Sequence, residues 1–138
     1  MFSLFRSKKK RSKGEPAHQI NKPPELQKKI IRTKIRGVSF SNPDGTSRQS
    51  ILKCCKESER LILKHRPLRG HPTAVAIYRK SGQQLGYVSS SLSKLISVVL
   101  GSGRKVDCKI LNLTGGSWFR KRTRGCNIQI TIHNWYER

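Results

Sequence analysis

The stretch Ala74–Leu100, AVAIYRKSGQQLGYVSSSLSKLISVVL, joins two different hydrophobic periods. Its first half holds two short apolar runs, Ala74–Arg79 and Gln84–Val88, around Lys80-Ser81-Gly82-Gln83, which spells a β-hairpin with Gly82 taking positive φ in the turn. Its second half puts Leu92, Leu95, Ile96 and Val99 at i, i+3, i+4 and i+7, a single helix face. The serines 89 to 91 stand where a helix is capped and Gly101 where it stops. A hairpin running straight into an amphipathic helix points to a mixed, mainly β (α+β) domain.

Carried outward, the same reading adds four strands and one helix. Upstream, Ile30, Ile31, Ile35, Val38 and Phe40 make a long strand that bends at Gly37, and Asn42-Pro43-Asp44-Gly45 is a turn. Ser47 caps a short helix reaching Ser58, with Ile51, Leu52 and Cys55 on one face, and Arg60–Lys64 is the next strand. Downstream, Lys105–Leu113 and Cys126–His133 alternate as the last two strands, joined by a loop from Thr114 to Gly125 that contains three glycines. The expected fold is a small six-stranded barrel with two short helices over residues 28–134, with residues 135–138 as a tail.

Charge sets the partner class. Thirty Lys and Arg against seven Asp and Glu leave +23 on 138 residues, which excludes an enzyme for cationic substrates and suits a polyanion. Residues 1–36 carry twelve of the cations and only two acids. Lys8, Lys9, Lys10, Arg11 and Lys13 cluster there, followed by Gly14, Pro16, Pro23 and Pro24, with too few apolar residues to offset the entropy of ordering. Residues 1–27 are therefore expected to be a disordered basic arm that adds phosphate contacts, the alternative being a solubilising tail. Phe2, Leu4 and Phe5 bury too little apolar area to hold the chain on an anionic membrane. No apolar run approaches the ~20 residues of a membrane helix, so an integral membrane protein is not expected. The apolar-then-basic start reverses the order of a secretory signal, so the expected location is cytoplasmic, nucleoid-associated in a bacterium.

Catalytic chemistry needs titratable groups brought together, and few are on offer. From residue 37 onward the acids are Asp44, Glu57, Glu59, Asp107 and Glu137, with no cluster suited to two-metal phosphodiester cleavage. His18, His65, His71 and His133 are scattered, and Cys54, Cys55, Cys108 and Cys126 show no C-x-x-C. The expectation is no enzyme activity, no cofactor and no metal site, with the cysteines as free thiols. Leu100-Gly101-Ser102-Gly103-Arg104-Lys105 follows a helix instead of opening one, so it reads as a C-terminal cap and not a phosphate loop.

Binding chemistry is better represented. Trp118-Phe119-Arg120-Lys121-Arg122-Thr123-Arg124 places two aromatics beside four cations in a glycine-bounded loop. Unpaired bases ask for π-faces worth ~1–3 kcal/mol each and for guanidiniums on their phosphates. The alternative is that Trp118 plugs one end of the barrel while the arginines stay wet. A second run, Lys64-His65-Arg66-Pro67-Leu68-Arg69-Gly70-His71, precedes the hairpin and supplies Arg66 and Arg69 as further phosphate contacts. Tyr78, Trp135 and Tyr136 read more readily as packing residues.

The order of these motifs resembles the HIRAN domain over nearly all of residues 34 to 132. Ile35-Arg36-Gly37-Val38-Ser39-Phe40 resembles its opening glycine-aromatic strand. His71-Pro72-Thr73-Ala74-Val75-Ala76-Ile77-Tyr78 is similar to its D-P-N-A-hydrophobic segment, and Gly82-Gln83-Gln84-Leu85-Gly86-Tyr87-Val88 to its G-Y run. A short apolar helix over Ser91 to Leu100 follows, and Gly103 to Gly116 resembles the next strand with its terminal Gly-Gly. The resemblance implies an OB-like barrel that binds DNA, particularly single strands and their 3′-hydroxyl ends, often alongside helicase or nuclease domains. By position it implies a groove lined by Ser39 and Phe40, by Gly70 and His71, by Tyr87 and Ser90, and by Trp118 and Phe119. The chain departs from the family where an aromatic and an aspartate are replaced by Gly70 and His71, and the added Arg66 and Arg69 favour backbone-driven binding.

The function expected from all this is binding of nucleic acid, single-stranded DNA before duplex or RNA, as an accessory in DNA replication, repair or recombination beside a helicase or nuclease partner protein. The alternatives are an RNA- or ribosome-associated basic protein, separable by competition between DNA and RNA oligonucleotides, and a small metal-dependent nuclease using Tyr78 and Arg79.

Overall fold

The computed structural model describes residues 27–116 and 123–135. The basic arm with Lys8, Lys9, Lys10, Arg11 and Lys13 lies outside the described residues, as do Trp118, Phe119, Arg120, Lys121 and Arg122. Six strands and two helices follow in the order β1 (Lys28–Lys34), α1 (Arg48–Lys53), β2 (Arg60–His65), β3 (Val75–Arg79), β4 (Gln84–Tyr87), α2 (Ser90–Gly101), β5 (Val106–Thr114) and β6 (Gly125–His133). All neighbouring strands pair antiparallel in one sheet of order β1-β6-β5-β2-β3-β4.

Alternation decides which face is inside. On β6, Cys126, Ile128, Ile130 and Ile132 are fully buried, while the residues between them face outward. Leu61 and Leu63 from β2, Val75 and Ile77 from β3, Leu85 from β4 and Ile96 and Val99 from α2 complete the same core. Burying each such side chain contributes about 2 kcal/mol. Trp135, just past β6, packs against this core and donates its backbone N–H to Gln27 O at 3.3 Å.

The two edges of the sheet, β1 and β4, meet. Just beyond β1, Arg36 donates its N–H to Tyr87 O and accepts from Tyr87 N–H, both at 2.8 Å, and this bridge closes the sheet into a small OB-like barrel. Bulges aid the curvature, one between β3 and β4 at Ile77/Tyr78 and one between β5 and β6 at Ile110/Asn112. The first makes Gln84, Leu85 and Gly86 all buried, because the extra residue breaks the period of two.

Three expectations need correction. The first strand does not run to Phe40: it ends at Lys34, and Gly37 at φ +77° turns the chain so that Phe40 N–H meets Gly37 O. The first helix is capped by Ser47, whose side chain accepts from Ser50 N–H, but it stops at Lys53 and not near Ser58. Its exit is pulled away because Ser58, at φ +67°, donates to Ile110 O on β5. In α2, Ser89 sits at the cap position without a side-chain capping bond, its hydroxyl lying 3.2 Å from that of Ser91. That helix includes Gly101, and Gly103 at φ +81° makes the turn after it. The hairpin stands as read, with Gly82 at φ +96°. Among the described residues no helix is long and apolar enough to cross a membrane.

Closure tolerates no side chain at Gly86. A Cβ there would lie 2.3 Å from Arg36 O and 2.7 Å from Ile35 Cγ2, distances that real atoms do not adopt. Gly86→Ala should therefore destabilise the protein by roughly 3 kcal/mol, read as a fall in the urea midpoint at unchanged slope. Gly82→Ala, whose Cβ meets nothing within 4 Å and whose cost is confined to positive φ, should cost about 1 kcal/mol.

Candidate nucleic-acid interface

The site begins at the turn that follows the closing bridge. Arg48, on the first turn of α1, is only 6% exposed, and no carboxylate among the described residues pairs with it. Its Nε donates to Asn42 Oδ1 at 2.7 Å and its Nη1 to Gly37 O at 2.9 Å. Asn42 in turn donates through Nδ2 to Gln84 O and to Thr46 Oγ1, both at 3.0 Å. The neighbouring Gln49 donates to Val38 O and Arg124 O, each at 2.9 Å, and accepts from Arg124 N–H at 2.7 Å. One short helix thus pins the segment after β1 to the segment before β6.

That frame sets two aromatic rings around a bare glycine. The Arg48 guanidinium lies 5.4 Å from the Tyr87 ring centroid, a cation–π contact that fixes the ring. A Cβ placed on Gly37 would sit 3.2 Å from Arg48 Nη1, 3.7 Å from Phe40 Cδ2 and 3.9 Å from Tyr87 Cδ1, so the guanidinium and the edges of both rings converge on this glycine. Phe40 is 67% exposed, so its ring is open to a stacking partner.

Tyr87 also lines a hollow on the side of the hairpin and the α2 entrance. This cavity, of about 730 Å³, is bordered by Arg36, Gly70, His71, Tyr87 and Ser90, with further serines of the α2 entrance. Gly70 at φ +81° makes the turn in which Leu68 and His71 exchange backbone hydrogen bonds of 2.8 and 3.0 Å. Ser93, buried beneath, bonds Thr73 Oγ1 at 3.2 Å and ties that loop to α2. The walls mix apolar side chains, Leu68, Pro72, Ala74 and Val88, with serine and threonine hydroxyls, and carry no carboxylate that would repel an anion.

Of the residues expected at the site, Gly70, His71, Tyr87 and Ser90 come together in the cavity, and Phe40 joins them through Tyr87. Ser39 is exposed in the turn beside Phe40 and Arg69 in the turn beside Gly70, and neither borders the cavity. Arg66 stands on another face, donating to Tyr78 OH at 3.2 Å with its guanidinium 5.9 Å from that ring. Arg124 is fixed by its backbone to Gln49, and its side chain packs over Gly116. Arg79, the arginine of the nuclease alternative, is engaged by Glu59 at 2.7 Å. Sequence reading missed Arg36, Asn42, Arg48 and Gln49. Only the turn signal at Asn42 pointed toward that group, and nothing in the sequence marked Arg48 as buried.

Among the described residues, no three His, Cys, Asp or Glu side chains gather as a metal-binding group. The four cysteines are free thiols. Burial pushes the Cys55 thiol up to about 11, and burial likewise pushes Cys108 and Cys126 up to about 12.

No family model matches the sequence, and no curated protein does. The fold, however, is found in solved structures. The HIRAN domain of human HLTF is similar with a TM-score of 0.56 and 11% identity, over 75% of this chain and 74% of that one. A Lactobacillus plantarum protein solved by a structural-genomics consortium is similar with a TM-score of 0.54 and 10% identity, over 78% of this chain and all of that one. The chain therefore has a HIRAN-like fold, in agreement with the order of its sequence motifs.

Replacing Arg48 by Met fills the space but orphans Asn42 Oδ1 and Gly37 O, so it should cost about 1–3 kcal/mol in chemical denaturation, and Arg48→Lys should not restore it because one ammonium cannot reproduce the fork. Native protein at pH 8 should alkylate at exposed Cys54 alone, and unfolded protein at all four cysteines, as counted by mass spectrometry. Because the raised thiols are neutral in the folded state and ionise earlier when unfolded, stability should decline as pH climbs above about 9.

Proposed function

We propose that this protein binds single-stranded DNA, receiving a chain end in the cavity beside Tyr87 and stacking bases against Phe40. The observation that carries the reading is that Tyr87 both approaches the exposed Phe40 at Gly37 and lines the cavity of about 730 Å³. A strand laid over this turn meets the exposed Phe40 ring, beside a Tyr87 ring that the Arg48 guanidinium backs. Its end then enters a hollow within the ligand-pocket range of roughly 300–1,000 Å³, too small for duplex. Arg36 at the rim suits a phosphate, and the serine hydroxyls and His71 suit a terminal sugar hydroxyl. The HIRAN-like fold supports nucleic-acid binding, and the sequence resemblance adds the preference for 3′-hydroxyl ends. Trp118, Phe119 and the cations Arg120, Lys121 and Arg122 would extend the stacking track, and the basic arm would add affinity without selectivity. The protein would act without catalysis of its own, as an accessory in replication, repair or recombination whose partner helicase or nuclease supplies the chemistry.

Fluorescence anisotropy on the full chain, from about 50 to 300 mM salt, tests this with one oligonucleotide bearing a free or a phosphorylated 3′ end, its RNA counterpart and its duplex. The free-ended DNA should bind best, and Phe40→Ala should weaken it about 5- to 100-fold, the equivalent of one lost stack. Equal binding of both ends and of duplex, indifferent to Phe40→Ala, would remove the reading. Tighter binding of the RNA would transfer it to RNA.

A further inference from the structure

The outer face of the barrel, opposite to the core and made by β1, β6, β5 and β2, is not used by the site described above. Register fixes which residues share it. Arg32 stands opposite Gln129, Gln129 opposite Lys109 and Lys109 opposite Arg60, so one row crosses four strands. Each of these side chains projects outward, because the neighbouring residues on β6, β5 and β2 (Ile128, Cys108 and Leu61) are buried. On the same face β1 adds Lys28 and Lys34, and β2 adds Lys64. Residues two apart on a strand are about 7 Å from one another and adjacent strands about 4.8 Å, so these six cations form a lattice and not a tail.

Three further features distinguish this face from a merely solvated one. The only acid on it, Asp107, is held 2.8 Å from His133 Nε2. On β5 and β6 hydrogen-bonding side chains, Asn112, Asn127, Gln129 and Thr131, stand among the cations, with Asn127 Nδ2 donating to Asn112 Oδ1 at 3.1 Å, while on β1 and β2 the exposed Ile30 and Ile62 separate Lys28 from Arg32 and Arg60 from Lys64. The face is also hollowed: a depression of about 330 Å³ runs between Lys28, Arg60, Lys109 and Gln129. Among the described residues its aromatic neighbour is Tyr78, with Lys64 at 5.5 Å and Arg66 at 5.9 Å from its ring, so cations already compete with a base for it.

We infer that this concave cationic sheet face is a second nucleic-acid surface, one that holds the phosphate backbone of duplex DNA. Cations at regular spacing with amide and hydroxyl donors among them match phosphodiester oxygens, and a ring for which cations already compete disfavours unpaired bases. The surface is separate from the aromatic pair at Gly37, so the protein can hold a single-stranded end on one side and paired DNA on another. It stands or falls independently of the single-strand reading.

Two triple variants of the full chain test it, both built on exposed side chains, with thermal midpoints recorded to show that each folds. One combines Arg32→Gln, Arg60→Gln and Lys109→Gln; the other removes equal charge elsewhere through Lys53→Gln, Lys56→Gln and Lys94→Gln. Anisotropy with a blunt duplex should show the first triple about tenfold weaker near 150 mM salt, with the log K against log salt slope reduced by about 2 to 3. The second triple should bind within about twofold of the parent, and the single-stranded oligonucleotide should bind the first triple within about threefold. Equal losses from the two triples, or a duplex slope unchanged in the first, would overturn the inference. Loss of duplex binding in the first triple together with indifference of single strands to Phe40→Ala would keep this surface and remove the other.

Discussion

The barrel depends on one pair of backbone hydrogen bonds, exchanged between Arg36 and Tyr87, that join the two edges of a six-stranded sheet. An open edge exposes unpaired amides and invites pairing with other chains, and closure removes most of that exposure. The bridge is feasible only because Gly86, beside Tyr87, leaves the space that Arg36 O and Ile35 Cγ2 occupy. The same contact positions function. Tyr87 is held at the seam by its own main chain, so its ring stands at a fixed height above Gly37 and at the border of the cavity.

A buried guanidinium without a carboxylate partner would ordinarily be costly. Arg48 is tolerated because Asn42 and Gly37 accept from it in short, well-directed bonds and because the Tyr87 ring faces it. What the fold gains is order in a stretch that has no strand or helix of its own. Residues 37 to 47 make one isolated bridge, Ser41 with Ser47, and otherwise depend on Arg48, Asn42 and Gln49 for their shape. An exposed Phe40 can keep a defined place there only because the turn beneath it is held from inside.

The sequence made the periodic parts legible. The Ala74–Val88 hairpin, the apolar stripe of α2 and the alternation of β6 each follow from a period that side-chain burial enforces. It failed where a long-range contact overrode local preference. Gly37 marked a bend, but nothing near Phe40 says that the strand ends there, because the turn is held by Arg48, eleven residues on. Helix α1 is short for a similar reason, the pull of Ile110 on Ser58 across 52 residues of chain. Motif order grouped Gly70, His71, Tyr87 and Ser90, which border one cavity, whereas a basic loop does not reveal which way its side chains turn, so the contact of Arg66 with Tyr78 was not legible. Arg66 turns to Tyr78, where the ring and hydroxyl together satisfy it.

Net charge alone does not say how a basic protein engages nucleic acid; the placement of the few acids does. Asp44 is occupied by Thr46, whose hydroxyl and N–H hold its carboxyl below the usual range, and Glu59 by Arg79. Asp107, the one acid on the outer sheet face, is held low first by His133 and then by the cations Lys105 and Arg60 around it. Asp44, Glu59 and Asp107 are therefore engaged in local structure, and the cations of β1, β2 and β5 face outward together. Rigid strands present those cations at fixed spacing, so a partner meets them without ordering the residues that carry them. If the outer face takes paired DNA and Phe40 takes unpaired bases, as proposed, the two together suit the boundary where single strand meets duplex.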